Sequence, residues 1–186
     1  MQTKIWTLIA RYVKHRRNLI KIKYKRVLPL NELVTDRWEK ATYLGFGKGS
    51  SIYDSSIVFG DVKVGENTWI GPNTILDGTG GLSIGNNCSI SAGVHIYSHH
   101  TVKWALSGGK SPYEYAQTAI GNCCFIGPQA IIQSGVTIGN HCIIAANSFV
   151  NKDVSNNMIL GGSPGKILGE VEIDMNGEVF LKYFRN

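Results

Sequence analysis

An all-β solenoid, a parallel β-helix of triangular cross-section, is the fold class this sequence predicts, and three observations predict it. Apolar residues recur at every sixth position in three runs: Phe46, Ile52, Val58, Val64, Ile70 and Leu76, then Ile84, Ile90 and Ile96, then Ile120, Ile126, Ile132, Ile138, Ile144 and Val150. Gly often follows the apolar residue, as in VGENTW, IGPNTI, IGNNCS and IGNHCI, and Asn or Gly often holds the fourth place, as in the first three. The fifth place takes small residues: Ser50, Ser56, Thr68, Thr74, Cys88, Cys124, Ala130, Val136, Cys142 and Ser148. A fixed short period decides the architecture before any local propensity does.

Each hexad reads as one short strand and one corner. Gly or Asn at the second and fourth places lets the backbone turn without a Cβ clash. A strand with a single inward aliphatic cannot bury itself, so it stacks on another of its kind about 4.8 Å away. Three hexads close one coil, and fifteen give five coils, a stack roughly 24 Å tall. Each inward Ile or Val contributes roughly 1.5–3 kcal/mol on burial. Contributions add along the stack, so an insertion at a corner disturbs only its own coil.

Residues 1–45 precede the repeat. Over 3–17, Ile5, Leu8, Ile9, Tyr12 and Val13 share one helical face, with Lys14, Arg16 and Arg17 at the end. Alternation of apolar and basic residues over 20–25 predicts a short strand. Residues 31–43 predict a second short helix around Leu33, Trp38 and Tyr43. From Phe46 the coils run with two interruptions: two extra residues after Leu76, and a 97–119 segment that follows no hexad. So long an excursion from a regular body points to function. GGSPGK at 161–166 is a turn-rich exit, and VEIDMNGEVFL, centred on Asn176-Gly177, predicts a hairpin covering the open end of the stack. The expected organisation is a basic N-terminal segment 1–45, a β-helix domain 46–168 and a C-terminal hairpin 169–186.

The net charge of +6 is unevenly placed: residues 1–45 hold eleven Lys or Arg against three acids, and residues 46–186 hold eight against ten. A slightly acidic repeat body without a reader motif argues against nucleic-acid binding. No apolar run approaches the ~20 residues of a membrane span, and the short stretch from Ile5 to Ala10, ended by Arg11, makes a poor signal peptide. A cytoplasmic location is expected, at the inner membrane face if the basic segment 3–26 lies on anionic lipid. The other reading of that segment is a helix packed on the body with a solvated basic face. The four cysteines show no CxxC spacing, and three of them fall on the small fifth place, as structural residues do.

The combination resembles the hexapeptide-repeat acyltransferases over about residues 46–168. SAGVHIYSHH ends a coil just before the long loop, AANSFVNKDV lies in the last coil, and GGSPGK looks like the family's closing turn. The resemblance is closest to sugar O-acetyltransferases of bacterial surface-polysaccharide synthesis. It implies a left-handed helix, a homotrimer, acetyl-CoA as a co-substrate held between subunits rather than a resident cofactor, and a saccharide acceptor.

Acetyl transfer to a hydroxyl needs a base, an oxyanion donor and a fixed acyl carrier. The resemblance places the catalytic histidine at His99 or His100, with His99 the better match. Glu114, in the same loop, is a candidate to hold the imidazole's other nitrogen. Ala146, Asn151, Lys152 and Lys166 match coenzyme-contacting positions, although Asn151 stands where relatives often have Thr and Pro128 where some have Ser. Asp77 and Asn73, beside the two-residue insertion, are candidates to face the acceptor sugar. Trp104 is either a stacking platform for a sugar or a packing residue. His95, His100 and His141 resemble only part of the zinc pattern of β-helix carbonic anhydrases, so no metal is expected. The alternative functions are N-acetylation of an amino sugar nucleotide and a non-catalytic scaffold.

Overall fold

The computed structural model describes residues 2–184, and the side chains of residues 4–184. The six-residue period becomes a left-handed parallel β-helix. Its first face stacks Ser51–Ile52, Trp69–Ile70, Ser89–Ile90, Phe125–Ile126, Ile143–Ile144 and Met158–Gly161. Its second face stacks the first halves of Ile57–Val64 and Ile75–Ile84 with His95–Ile96, Ile131–Ile132 and Phe149–Val150. The third face stacks the ends of the two long strands with Thr118–Ile120 and Thr137–Ile138.

Register follows the hexads. Ile52, Ile70, Ile90, Ile126, Ile144 and Leu160 form one column. Leu76, Ile96, Ile132 and Val150 continue a second column from Val58, and Val64, Ile84, Ile120 and Ile138 form the third. Fourteen of the fifteen periodic residues are buried, and Val58 packs partly buried against them.

The stack exceeds the expected five coils. Val154 bridges Ile138, and Leu160 adds a further rung to the first face. The period hides this because the corner Asn151-Lys152-Asp153 is two residues short, which puts Val154 out of hexad register.

The two glycine-rich places in the hexad do different work. At the fourth place the backbone is left-handed: Asn67, Asn73, Asn87, Cys123, Gln129, His141 and Asn147 have φ between 52° and 60°. Asparagine and glycine tolerate that region best, and it accounts for Cys123 and His141 as corner residues. At the second place the constraint is close approach. A Cβ on Gly127 would lie 2.6 Å from Ala146 N and 2.8 Å from Ala145 C in the next coil. Both contacts are backbone and cannot swing aside, so Gly127→Ala should destabilise the fold by about 1–3 kcal/mol. A urea midpoint shifted down at unchanged slope is the check.

The small fifth-place residues face inward and tie successive coils. Ser50 Oγ donates to Gly65 O, Ser56 Oγ to Gly71 O, Thr68 Oγ1 to Gly85 O, and Cys88 Sγ and Cys124 Sγ to Gly121 O and Gly139 O. Outside them an asparagine ladder repeats the tie: Asn86, Asn122, Asn140 and Asn156 each accept the backbone N–H one coil up, at 2.7–2.8 Å.

The N-terminal segment departs from its expected form. One helix, α1, spans Gln2–Tyr24 and absorbs the strand expected at 20–25. Residues 20–25 pair with no strand among the described residues, no Gly or Pro interrupts the helix, and it ends where Lys25 turns left-handed with φ 53°. The helix expected over 31–43 is two, α2 (Leu30–Val34) and α3 (Arg37–Tyr43). Asp36 separates them, because its carboxylate caps α3 by accepting from Trp38 N and Glu39 N. Leu33 and Ala41 anchor the pair as fully buried residues. At the other end, strand Lys166–Ile173 pairs antiparallel with the last rung, and Val179–Tyr183 pairs with it across a turn where Gly177 has φ 83°. The expected hairpin is therefore present, and it closes an open sheet edge.

Candidate active site

The site grows from the two interruptions of the repeat, which meet at one corner of the solenoid. The two extra residues after Leu76 form a bulge: Gly60 pairs with Gly78, and the register then shifts so that Val62 pairs with Leu82. In the next coil, the long excursion leaves at the same corner, between second and third faces. Its stem packs on the bulge, where Gly80 N donates to Ser98 Oγ at 2.8 Å. A Cβ on Gly80 would sit 2.2 Å from Ser98 O, so only glycine permits this approach. Thr118 locks the returning strand by donating to Tyr97 O at 2.6 Å. The excursion itself is ordered: His99–His100 pairs antiparallel with Glu114–Tyr115, and a short helix, α4 (Val102–Leu106), lies between them.

Asp77 is the buried centre. Its carboxylate, 2% exposed, accepts His99 Nδ1 at 2.5 Å. It also accepts Ser98 N at 3.1 Å, Thr79 N at 2.9 Å and Thr79 Oγ1 at 2.5 Å. Burial raises its pKa, but the bonds from Thr79, Ser98 and His99 together outweigh that and hold it below the ordinary carboxylate value. An ionised carboxylate only accepts, so His99 Nδ1 donates to it, which in the neutral imidazole is the tautomer with its lone pair on Nε2. The Tyr115 ring stacks on the imidazole, with centroids 6.1 Å apart and planes at 27°. The imidazole is thus held on two sides.

Asp77 was expected to face an acceptor. It faces His99 instead, because the bulge turns the residue after an inward leucine beneath the loop stem. The sequence signal was there, an acid directly after Leu76 at the insertion, but nothing in the spacing says which loop residue lies above it.

His100 takes a different partner. Its Nδ1 lies 3.5 Å from Glu114 Oε2, while Glu114 Oε1 accepts from Lys103 Nζ at 2.7 Å. The Lys103 hydrogen bond holds the Glu114 carboxyl below its ordinary range. Glu114 therefore serves His100 and Lys103, not the Asp77-bound imidazole.

His99 and His100 open onto a shallow groove of about 450 Å³ that Tyr97, Ile131, Gln133 and Phe149 help to line. Gln133 and Phe149 went unnoticed in the sequence, since they hold ordinary outward places in their hexads. Asn151 and Lys152 stand exposed at the His99 corner two coils further on, and Lys152 makes no ion pair among the described residues. Ala146 is exposed at the neighbouring corner, and Lys166 is exposed where the chain leaves the last rung. Asn73 sits at that neighbouring corner as well, away from the bulge, in a left-handed turn. Trp104 packs edge-on against Tyr113 within its own loop, centroids 5.6 Å apart, and keeps 41% of its surface exposed. His95 points outward on the second face, with Tyr97 Oη 3.3 Å from its Nδ1.

Comparison with known proteins relates the repeat body to transferases. Residues 118–152 match the family described as bacterial transferase hexapeptide (six repeats), and residues 61–98 match the hexapeptide repeat of succinyl-transferase. Galactoside O-acetyltransferase of Escherichia coli (strain K12) is 29% identical over 126 residues, 67% of this chain and 61% of that protein. Chloramphenicol acetyltransferase of Morganella morganii is 36% identical over 106 residues, covering 46% of this chain and 49% of that one. Among solved structures, a maltose O-acetyltransferase from Clostridium difficile 630 superposes with TM-score 0.59 at 25% identity, over 89% of each chain. The chain spans about half to three fifths of the first two relatives. Its repeats are thus similar to those of hexapeptide-repeat acyltransferases.

Proposed function

We propose that this protein transfers an acetyl group from acetyl-CoA to a hydroxyl of a saccharide, with His99 as general base. The observation that carries the reading is the Asp77–His99 pair, in which Nδ1 is held by the buried carboxylate and the ring lines an open groove. In the proposed step, Nε2 takes the proton of the acceptor hydroxyl as its oxygen attacks the thioester carbonyl. The imidazolium, stabilised by Asp77, then returns the proton to the departing thiolate. A coil backbone N–H at the corner is suited to receive the oxyanion, since its direction is set before reaction.

Relatives support the coenzyme. Galactoside acetyltransferase has been solved in complex with coenzyme A, and the sequence relative named above is an O-acetyltransferase of galactosides. In this reading Ala146 and Asn151 line the pantetheine path, and Lys152 and Lys166 hold its phosphates from adjoining subunits of a homotrimer. Lys152→Ala and Lys166→Ala should then raise the KM for acetyl-CoA and leave kcat nearly unchanged, the pattern of lost uniform binding.

The proposal is tested by acceptor screening with a thiol assay for released coenzyme. Galactosides, maltose, amino sugar nucleotides and chloramphenicol form the panel. Mass spectrometry before and after mild base separates the outcomes, because esters hydrolyse and amides persist. A base-stable product would replace O-transfer by N-transfer. No coenzyme binding by calorimetry would leave a scaffold.

A further inference from the structure

The outer half of α1 carries an apolar stripe that is largely exposed. Ile5, Leu8, Ile9 and Tyr12 follow the i, i+3, i+4, i+7 spacing of one helical face, and with Trp6 they are 42–69% exposed. Further along, the helix meets the body: Arg16 Nε donates to Leu33 O at 2.9 Å, and Val13 and Ile20 are half-buried. A helix of 23 residues is about 34 Å long, so its first turns project beyond that contact.

Charge selects the occupant. Residues 2–26 contain nine Lys or Arg and no Asp or Glu. Lys4 and Arg11 border the apolar stripe on one side and Arg17 on the other, with Lys14 on the opposite face. These four make no ion pair among the described residues. A second copy of this helix would bring like charge against like charge. An anionic bilayer surface offers the apolar layer and the negative headgroups together, and Trp and Tyr favour that boundary. The helix is not long and apolar enough to cross a membrane.

We propose that α1 lies in the plane of an anionic lipid surface, with Ile5, Leu8, Ile9 and Tyr12 in the acyl boundary and the flanking Lys and Arg on the headgroups. This inference is independent of the acyl-transfer reading.

Co-sedimentation of the full chain with vesicles tests it. Phosphatidylcholine vesicles with a third phosphatidylglycerol should pellet the protein at low salt, high salt should release it, and pure phosphatidylcholine should not pellet it. Lys4→Gln, Arg11→Gln and Arg17→Gln combined should lower partitioning about a hundredfold. Ile5→Asp with Ile9→Asp should lower it at least as far, on the order of a hundredfold or more. Both variants change exposed side chains, and both should keep the wild-type urea midpoint. Equal pelleting with neutral and anionic vesicles would overturn the proposal. So would a change of sedimentation coefficient in the Ile5→Asp, Ile9→Asp protein, which would assign the stripe to a second copy. Retention of RNA by the chain without vesicle binding would also overturn it.

Discussion

His99→Ala is expected to lower kcat by about 10²–10⁴, the range a positioned general base contributes, with the KM for acetyl-CoA little changed. His100→Ala should keep activity within about tenfold, because its imidazole lies against Glu114 and not against the buried carboxylate. Asp77→Asn separates positioning from packing. The amide is nearly isosteric and can still accept from His99 Nδ1, but it cannot stabilise the imidazolium. Its kcat should fall on the order of 10–100-fold while coenzyme affinity stays near wild type. Equal losses in the two histidine variants, or full activity in Asp77→Asn, would remove the dyad from the mechanism. The lowered pKa of Asp77 sets a sign as well. Its contribution to stability is present above the ordinary carboxylate pKa and is lost as pH falls through the depressed folded value, so the pair survives mild acid.

Ile126→Ala should cost about 2–5 kcal/mol of stability, against about 0.5–1.5 kcal/mol for Ile126→Val. Ile126 is fully buried and stacked between Ile90 and Ile144, which are themselves fully buried. Leu106→Ala is the control: that side chain is 85% exposed on α4, and its loss should stay within about 0.5 kcal/mol. Urea denaturation measures all three. Because each coil touches only its neighbours, a second inward truncation several coils away, such as Ile52→Ala, should add its own cost independently. A midpoint in Ile126→Ala equal to wild type would contradict the stacked-column core.

The inward columns were legible because each aliphatic is required by the same local geometry, repeated. The left-handed corners were legible for the same reason, and even His141 and Cys123 fall into place as fourth-position residues. The reading failed where the period slips. The four-residue step from Val150 to Val154 concealed the last rung, and the apolar–basic alternation after Asn18 mimicked a strand that the isolated helix had no partner to form. At the site, the loop histidines and the exposed Lys152 and Lys166 were visible as positions, but the partners of the histidines were not. Asp77 and His99 are 22 residues apart, and their meeting depends on how a two-residue bulge and the long 97–119 excursion share one corner.

The sequence by itself determined the solenoid, its column of aliphatic residues and its close-packed glycines, because a six-residue period admits one way of burying apolar surface. Only the tertiary structure decided which histidine meets the buried carboxylate, that Glu114 belongs to the other one, and that α1 projects with its apolar stripe uncovered. Those outcomes arise from contacts between segments that share no period, where packing of a bulge beneath a loop, rather than local spacing, sets each side chain's neighbour.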